Sequence, residues 1–292
     1  MFHGRYWSPE ASVRYCTRLV RNHYENFPVF LSLFNSRQKQ ALAAIYAFSR
    51  HADDFADEDE FEGVRLRLID DWEHQLRLCY EGRSCHPVFI ALGRVVKDFN
   101  LPMYLFTDLL DAFRQDCRKN RYDTFEDVVD YCRRSANPVG RLVLKILGLD
   151  GSDIYYWSDS ICTALQLTNF WQDISVDVPR DRLYIPLEDF ERFRISPHSL
   201  SSNSAPAAFE SLVNLQIRRT RHMFKNGLPL VFHSGYPGSV YFSSVWLGGR
   251  TVLRMVYENR HRILTYRPAL NRHCVAGTLR NAGLAAVPVR VS

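Results

Sequence analysis

A chain of 292 residues, 46% hydrophobic and 13% aromatic, can bury one large core or two small ones. The formal charge of +5 is spread without a long Lys/Arg block, which argues against a nucleic-acid partner, while a mild basic excess suits anionic membranes or diphosphates. Seven cysteines (Cys16, Cys79, Cys85, Cys117, Cys132, Cys162 and Cys274) without a CxxC pair, and an N-terminus lacking the basic-then-apolar order of a signal peptide, read as reduced thiols in a cytoplasmic protein.

Helical periodicity dominates and regular strand alternation is scarce. Ser8-Pro9-Glu10 predicts a helix running to about Asn22, with Ser8 as N-cap and Pro9 in the first helical position. Phe27-Pro28 marks a break. A second helix starts near Ser36 and covers Arg37 to Asp57. A third, Gly63 to Tyr80, carries Leu66, Ile69, Trp72, Leu76 and Cys79 at threes and fours. Helices at about 86–99 and 102–119 follow. Thr124, with Asp127 three residues on, resembles a capping box for a helix through Tyr131. Asn137-Pro138 is expected to disturb that helix and leave carbonyls unpaired, with helix resuming from Val139 to Leu147. Ser152 to Asp177 is expected as one long helix and Asp181 to Leu187 as extended chain. Residues 196–206 read as a mobile Ser/Pro-rich surface loop, and two or three more helices reach Tyr266. No period is visible from Asn271 onward. The expected organisation is one domain over residues 1–270 and a poorly ordered tail over 271–292.

No residue carries a formal charge between Lys225 and Arg250. Gly227, Pro229, His233, Gly235, Pro237 and Gly238 interrupt that run, so no spanning stretch of about 20 apolar residues survives. A buried or interfacial helix–turn–helix is expected instead. Leu228, Leu230, Val231, Phe232, Tyr241, Phe242, Val245, Trp246 and Leu247 offer apolar surface for shallow, reversible contact with anionic lipid.

Two polar stripes carry the chemistry. Gln166, Asn169, Asp173 and Asp177 are spaced three, four and four, which places all four on one helical face. Tyr46, Arg50, Asp53 and Asp57 are spaced four, three and four and form another; Asp54 lies about 100° around the helix and should point elsewhere. Carboxylates one turn apart repel unless a cation sits between them. Hard oxygen donors beside apolar surface suit Mg²⁺ held against a phosphate-bearing substrate. A solvated polar face with an ordinary Arg/Asp ion pair is the plainer alternative. The Ala, Ile and Phe content of the first helix favours a buried bundle helix, and bundles build metal sites from facing helices. The implied ligand has a diphosphate head and a greasy tail.

The motifs YAFSRHADDFADE (Tyr46–Glu58) and QLTNFWQDISVDVPRDRLYIP (Gln166–Pro186) resemble the two aspartate-rich motifs of the squalene/phytoene synthase family. YCRRSANPVG (Tyr131–Gly140) resembles the segment between them, and the likeness runs from about His23 to Arg267. This resemblance implies an all-α isoprenoid synthase helical bundle with a central active-site cavity. It implies Mg²⁺ ligands at Asp53, Asp57, Asn169, Asp173 and Asp177. It implies diphosphate contacts at Arg50, Gln166 and Arg267, and ionisation and proton handling at Tyr131. Tyr24 and Phe27 would lie on the segment covering the substrate, Tyr46 would line the site, and Arg182, Tyr184 and Pro186 form the R-x-Y-x-P tail of the second motif.

The chain also departs from the family pattern. Gln172 stands where an arginine is usual beside the second motif, Asn137-Pro138 replaces a small-residue pair, the first motif reads ADDFADE, and HYENFPV (His23–Val29) replaces a serine-rich flap. Together these resemble the hydroxysqualene synthase branch, which ionises presqualene diphosphate and quenches the rearranged cation with water. The expectation is such an enzyme, Mg²⁺-dependent and without a nicotinamide, with placed water near Tyr131 or Asn137. It would be cytoplasmic, with peripheral contact at the inner membrane. Head-to-head condensation of two prenyl diphosphates to presqualene diphosphate, squalene or phytoene is the nearest alternative. A non-catalytic assembly or scaffold homologue is the alternative of another class.

Overall fold

Local signals set many of the helix boundaries. The structure, a computed structural model, describes residues 7–22, 33–201 and 207–269. Ser8 caps α1 (Pro9–Asn22), its hydroxyl accepting the Ala11 N–H at 3.2 Å. Asn35 caps α2 (Ser36–Asp57) in a reciprocal capping box with Gln38. There follow α3 (Arg65–Tyr80), α4 (Pro87–Phe99) and α5 (Tyr104–Asp116). The Thr124/Asp127 capping box opens α6 (Phe125–Ser135) as the sequence predicts. Then come α7 (Asn137–Leu147), α8 (Ser152–Gln172), α9 (Ile174–Asp177), α10 (Leu187–Arg192), α11 (Ala207–Gly227), α12 (Pro229–His233) and α13 (Gly235–Glu258). The fold class is all-α: among the described residues the one extended pairing is an isolated parallel bridge of Arg121 with Leu183.

The described residues group into two compact units, one within Met1–Arg118 and Pro138–Asp150, the other within Lys119–Asn137 and Gly151–Ser292. The first unit is organised on Phe48 of α2. Its ring centre lies 5.1 Å from that of Phe106, 5.9 Å from Phe89 and 6.1 Å from Trp72. The Trp72 indole N–H donates to the Phe48 carbonyl at 3.2 Å, so the one polar atom of that ring is satisfied. Each such buried ring contributes about 2–3 kcal/mol.

In the second unit α11 lies along α8, where the Trp171 indole N–H donates to Thr220 Oγ1 at 2.9 Å. Close approach there requires glycine. A Cβ on Gly227 would stand 2.4 Å from Ile161 Cγ1 and 2.8 Å from the Trp157 carbonyl oxygen. The buried Asp189 of α10 accepts from Gln216 at 2.7 Å and pairs with Arg219, fixing the segment after the second acidic motif onto α11.

Several expectations change. Asn137-Pro138 opens α7 instead of distorting α6, because Pro138 falls in a first turn where its missing N–H is not needed. The long helix expected to Asp177 breaks at Asp173 (φ −96°, ψ 8°) into α8 and α9. Helix α10 was not anticipated, and Pro197–Ser201 is a 3₁₀ turn instead of loop. No helix among the described residues is long and apolar enough to cross a membrane. Within the uncharged run Leu230, Val231, Tyr241 and Phe242 are buried, while Phe232 and Tyr236 are 66% and 81% exposed. Of the other residues expected to offer apolar surface, Leu228, Val245, Trp246 and Leu247 are half-buried. The tail and the HYENFPV segment, with Tyr24 and Phe27, lie outside the described residues.

Candidate active site

The first acidic stripe ends α2. Arg50 Nη2 lies 2.5 Å from Asp54 and 3.7 Å from Glu58, and Nη1 lies 3.3 Å from Asp53. One long side chain reaches both its i+3 and i+4 neighbours, so Asp54 shares the cation with Asp53 instead of pointing away. The Asp54 contact is coulombic and lacks hydrogen-bond geometry at Oδ1. Tyr46 belongs to the same group: burial raises its phenol, Arg50 opposes that, and Asp53 and Asp54 add to it. Burial pushes the Cys117 thiol upward, Arg65 opposes it, and Asp116 and then Asp57, exposed at the last turn of α2, add to the rise.

The second stripe crosses the α8–α9 break. The Asp173 backbone carbonyl still accepts the Val176 and Asp177 N–H groups at 2.8 Å, so the chain stays helical on both sides of the break. Gln166 and Asp177 are half-buried and Asn169 is exposed. Arg267 grips Asp173 with both ends of its fork, Nε to Oδ1 at 2.5 Å and Nη2 to Oδ2 at 3.4 Å. The Arg182 N–H donates to the Asp177 carbonyl at 3.0 Å, tying the tail of the motif back to α9.

An aromatic cluster stands beside this stripe. Tyr184 stacks on Phe170 at 3.7 Å and 5°, and the buried Tyr131 lies 5.9 Å from Phe170, 6.1 Å from Tyr184 and 5.7 Å from Tyr122. A small recess lined by Phe170, Asp177, Arg182 and Tyr184 opens next to it. Asn137 is buried and its Oδ1 accepts the Thr163 hydroxyl at 3.0 Å, which fixes the amide plane. The structure therefore brings Tyr131, Tyr184, Arg182 and Asp177 into one neighbourhood and Asp173 and Arg267 into direct contact. Sequence reasoning missed Asp54 as a partner of Arg50, although the spacing of four shows it, and missed Phe170 and Tyr122 as walls of Tyr131.

A model of squalene/phytoene synthases matches residues 20–274. The chain belongs to the squalene/phytoene synthase family. A hydroxysqualene synthase of Rhodopseudomonas palustris is 34% identical over 210 residues, covering 70% of each chain. A phytoene synthase of Arthrospira platensis is 29% identical over 226 residues, covering 73% of each. The solved squalene synthase HpnC from Alicyclobacillus acidocaldarius matches with a TM-score of 0.82 at 35% identity, covering 86% of this chain and 95% of that one. The all-helical fold is thus that of squalene synthase-like isoprenoid synthases, and the chain is an enzyme of that type.

Among the described residues no three His, Cys, Asp or Glu side chains are grouped to hold a metal ion. The donor chemistry of each stripe nevertheless fits Mg²⁺, which takes one or two carboxylates and completes its shell with water and phosphate oxygens. The cation neighbours, Arg50 and Arg267, each already sit on carboxylates of a stripe.

Proposed function

We propose that this family member is a hydroxysqualene synthase, which ionises presqualene diphosphate and captures the rearranged cation with water, giving hydroxysqualene and diphosphate. Residues 1–270 would act as one enzyme domain. The observation that supports the reading best is that each acidic stripe carries an arginine seated on its own carboxylates: Arg50 on Asp53 and Asp54, Arg267 on Asp173. Such a pairing presents donors for a diphosphate alongside carboxylates for its counter-cation.

In this mechanism Asp53 and Asp57, with Asn169, Asp173 and Asp177, would hold Mg²⁺, and bound there it supplies Lewis-acid neutralisation of the leaving group. Arg50, Gln166, Arg182 and Arg267 donate to the diphosphate and orient it. Tyr24, Phe27, Tyr46 and the aromatic ring of Tyr184 exclude water from the cation. Tyr131 handles the proton at its phenol oxygen, and Asn137, its amide plane set by Thr163, orients the attacking water. No step needs a nicotinamide.

The relative from Rhodopseudomonas palustris supports the hydroxysqualene branch. The Arthrospira platensis phytoene synthase favours a second reading, head-to-head transfer between two prenyl diphosphates. Purified protein incubated with Mg²⁺ and no NADPH distinguishes them. Presqualene diphosphate should yield a C30 alcohol and diphosphate. Consumption of farnesyl diphosphate alone would replace the first reading by the second.

A further inference from the structure

Gln172 is the last residue of α8, immediately before Asp173, and is only 9% exposed. A buried neutral amide needs its hydrogen bonds made inside the protein. Gln172 makes one to a distant point: Nε2 donates to the carbonyl of Pro268 at 2.5 Å, across 96 residues of sequence. Pro268 is itself buried, and the residue before it is Arg267, which grips Asp173. The segment is anchored on its other side as well. Ile263 is buried, the Thr265 and Tyr266 N–H groups donate to the Arg262 carbonyl at 3.0 Å, and the Arg262 guanidinium covers the Tyr266 ring at 4.0 Å while donating to Asn259. Arg267 is therefore the one residue of this strap held between two fastenings and directed at the acidic stripe.

We propose that Gln172 is a positioning residue for Arg267: its amide clasps the Pro268 carbonyl and so sets the guanidinium at Asp173, where it is ready to take an incoming diphosphate. This deepens the proposed function and rests on its diphosphate reading. The logic is one of conformational freedom. Arg267 is partly exposed and long, and a partly exposed ion pair alone holds such a side chain weakly. Fixing the backbone one residue away removes backbone freedom that would otherwise be lost on binding, and leaves only the side-chain torsions for the ion pair to hold. Gln172 itself never touches the diphosphate.

The test is a double-mutant cycle on the full chain, read by calorimetric binding of inorganic diphosphate in the presence of Mg²⁺. Gln172→Leu and Arg267→Gln should each weaken binding about tenfold. Gln172→Leu should cost nothing further in the Arg267→Gln background, because the clasp acts only through that arginine. A merely structural glutamine would instead give additive losses. Gln172→Met keeps the length and removes the donor without adding a charge, so it should repeat the loss if Gln172→Leu fails to fold. Unchanged affinity in the folded Gln172 variant, or full additivity with Arg267→Gln, overturns the proposal while leaving the diphosphate reading standing. Wild-type protein that binds no diphosphate overturns both.

Discussion

Gly227 and Gly248 show how much one Cβ decides. At Gly227 the added carbon would meet the Trp157 carbonyl oxygen at 2.8 Å, and backbone cannot swing aside as a side-chain tip can. At Gly248 nothing lies within 4 Å. Gly227→Ala should therefore destabilise by about 1–3 kcal/mol through overpacking. Gly248→Ala, inside α13, should stabilise by about 0.5–1 kcal/mol by reducing the freedom of the unfolded chain. Urea unfolding of the two variants checks the pair, and a shift of the same sign in both would remove the packing argument. The sequence shows Gly227 only as an interruption of an uncharged run and does not mark Gly248 at all, because a glycine looks the same whether a helix presses on it or not. Arg50 is similar: spacing placed it with Asp53 on one face, but its reach to Asp54 depends on the rotamer of a long side chain.

At the scale of elements, what was legible in sequence was what local chemistry decides. The Ser8 cap, the Thr124/Asp127 box and the apolar stripe of α3 need only neighbours within one or two turns. Asn137-Pro138 was misread because proline's effect depends on its place in a helix, and a first turn accepts it. The break at Asp173 left no mark in the spacing, since Asn169, Asp173 and Asp177 keep helical intervals through it. The acidic residues and the R-x-Y-x-P tail could be named in advance, whereas the Tyr184–Phe170 stack and the Gln172–Pro268 clasp depend on tertiary packing. Phe232 and Phe242 make the same point. Both lie in one uncharged run, yet one is exposed and the other buried, because Gly235 and Pro237 reset the helical phase between them.

For the whole molecule, the proposed reaction on C30 lipids would need a route to and from a bilayer. The exposed pair Phe232 and Tyr236 at the α12–α13 corner suits such a contact: no formal charge lies between Lys225 and Arg250, and aromatic side chains favour the headgroup boundary. Under the proposed function the protein should cosediment with anionic liposomes weakly and release with salt. Phe232→Ser combined with Tyr236→Ser should lower binding severalfold with the fold intact, whereas equal binding by the double variant would place the contact elsewhere. Phe242 cannot serve as that probe, since it is core. The central claim is that diphosphate release under the proposed function requires both acidic stripes, and the most direct measurement is diphosphate release from presqualene diphosphate against Mg²⁺ concentration, with circular dichroism recorded on each variant. Asp53→Asn and Asp173→Asn, one in each stripe, should each cut release by about a hundredfold or more at unchanged helicity, and Asp54→Asn should leave the Mg²⁺ requirement nearer that of the wild type. Near wild-type release in Asp53→Asn or in Asp173→Asn would contradict the account.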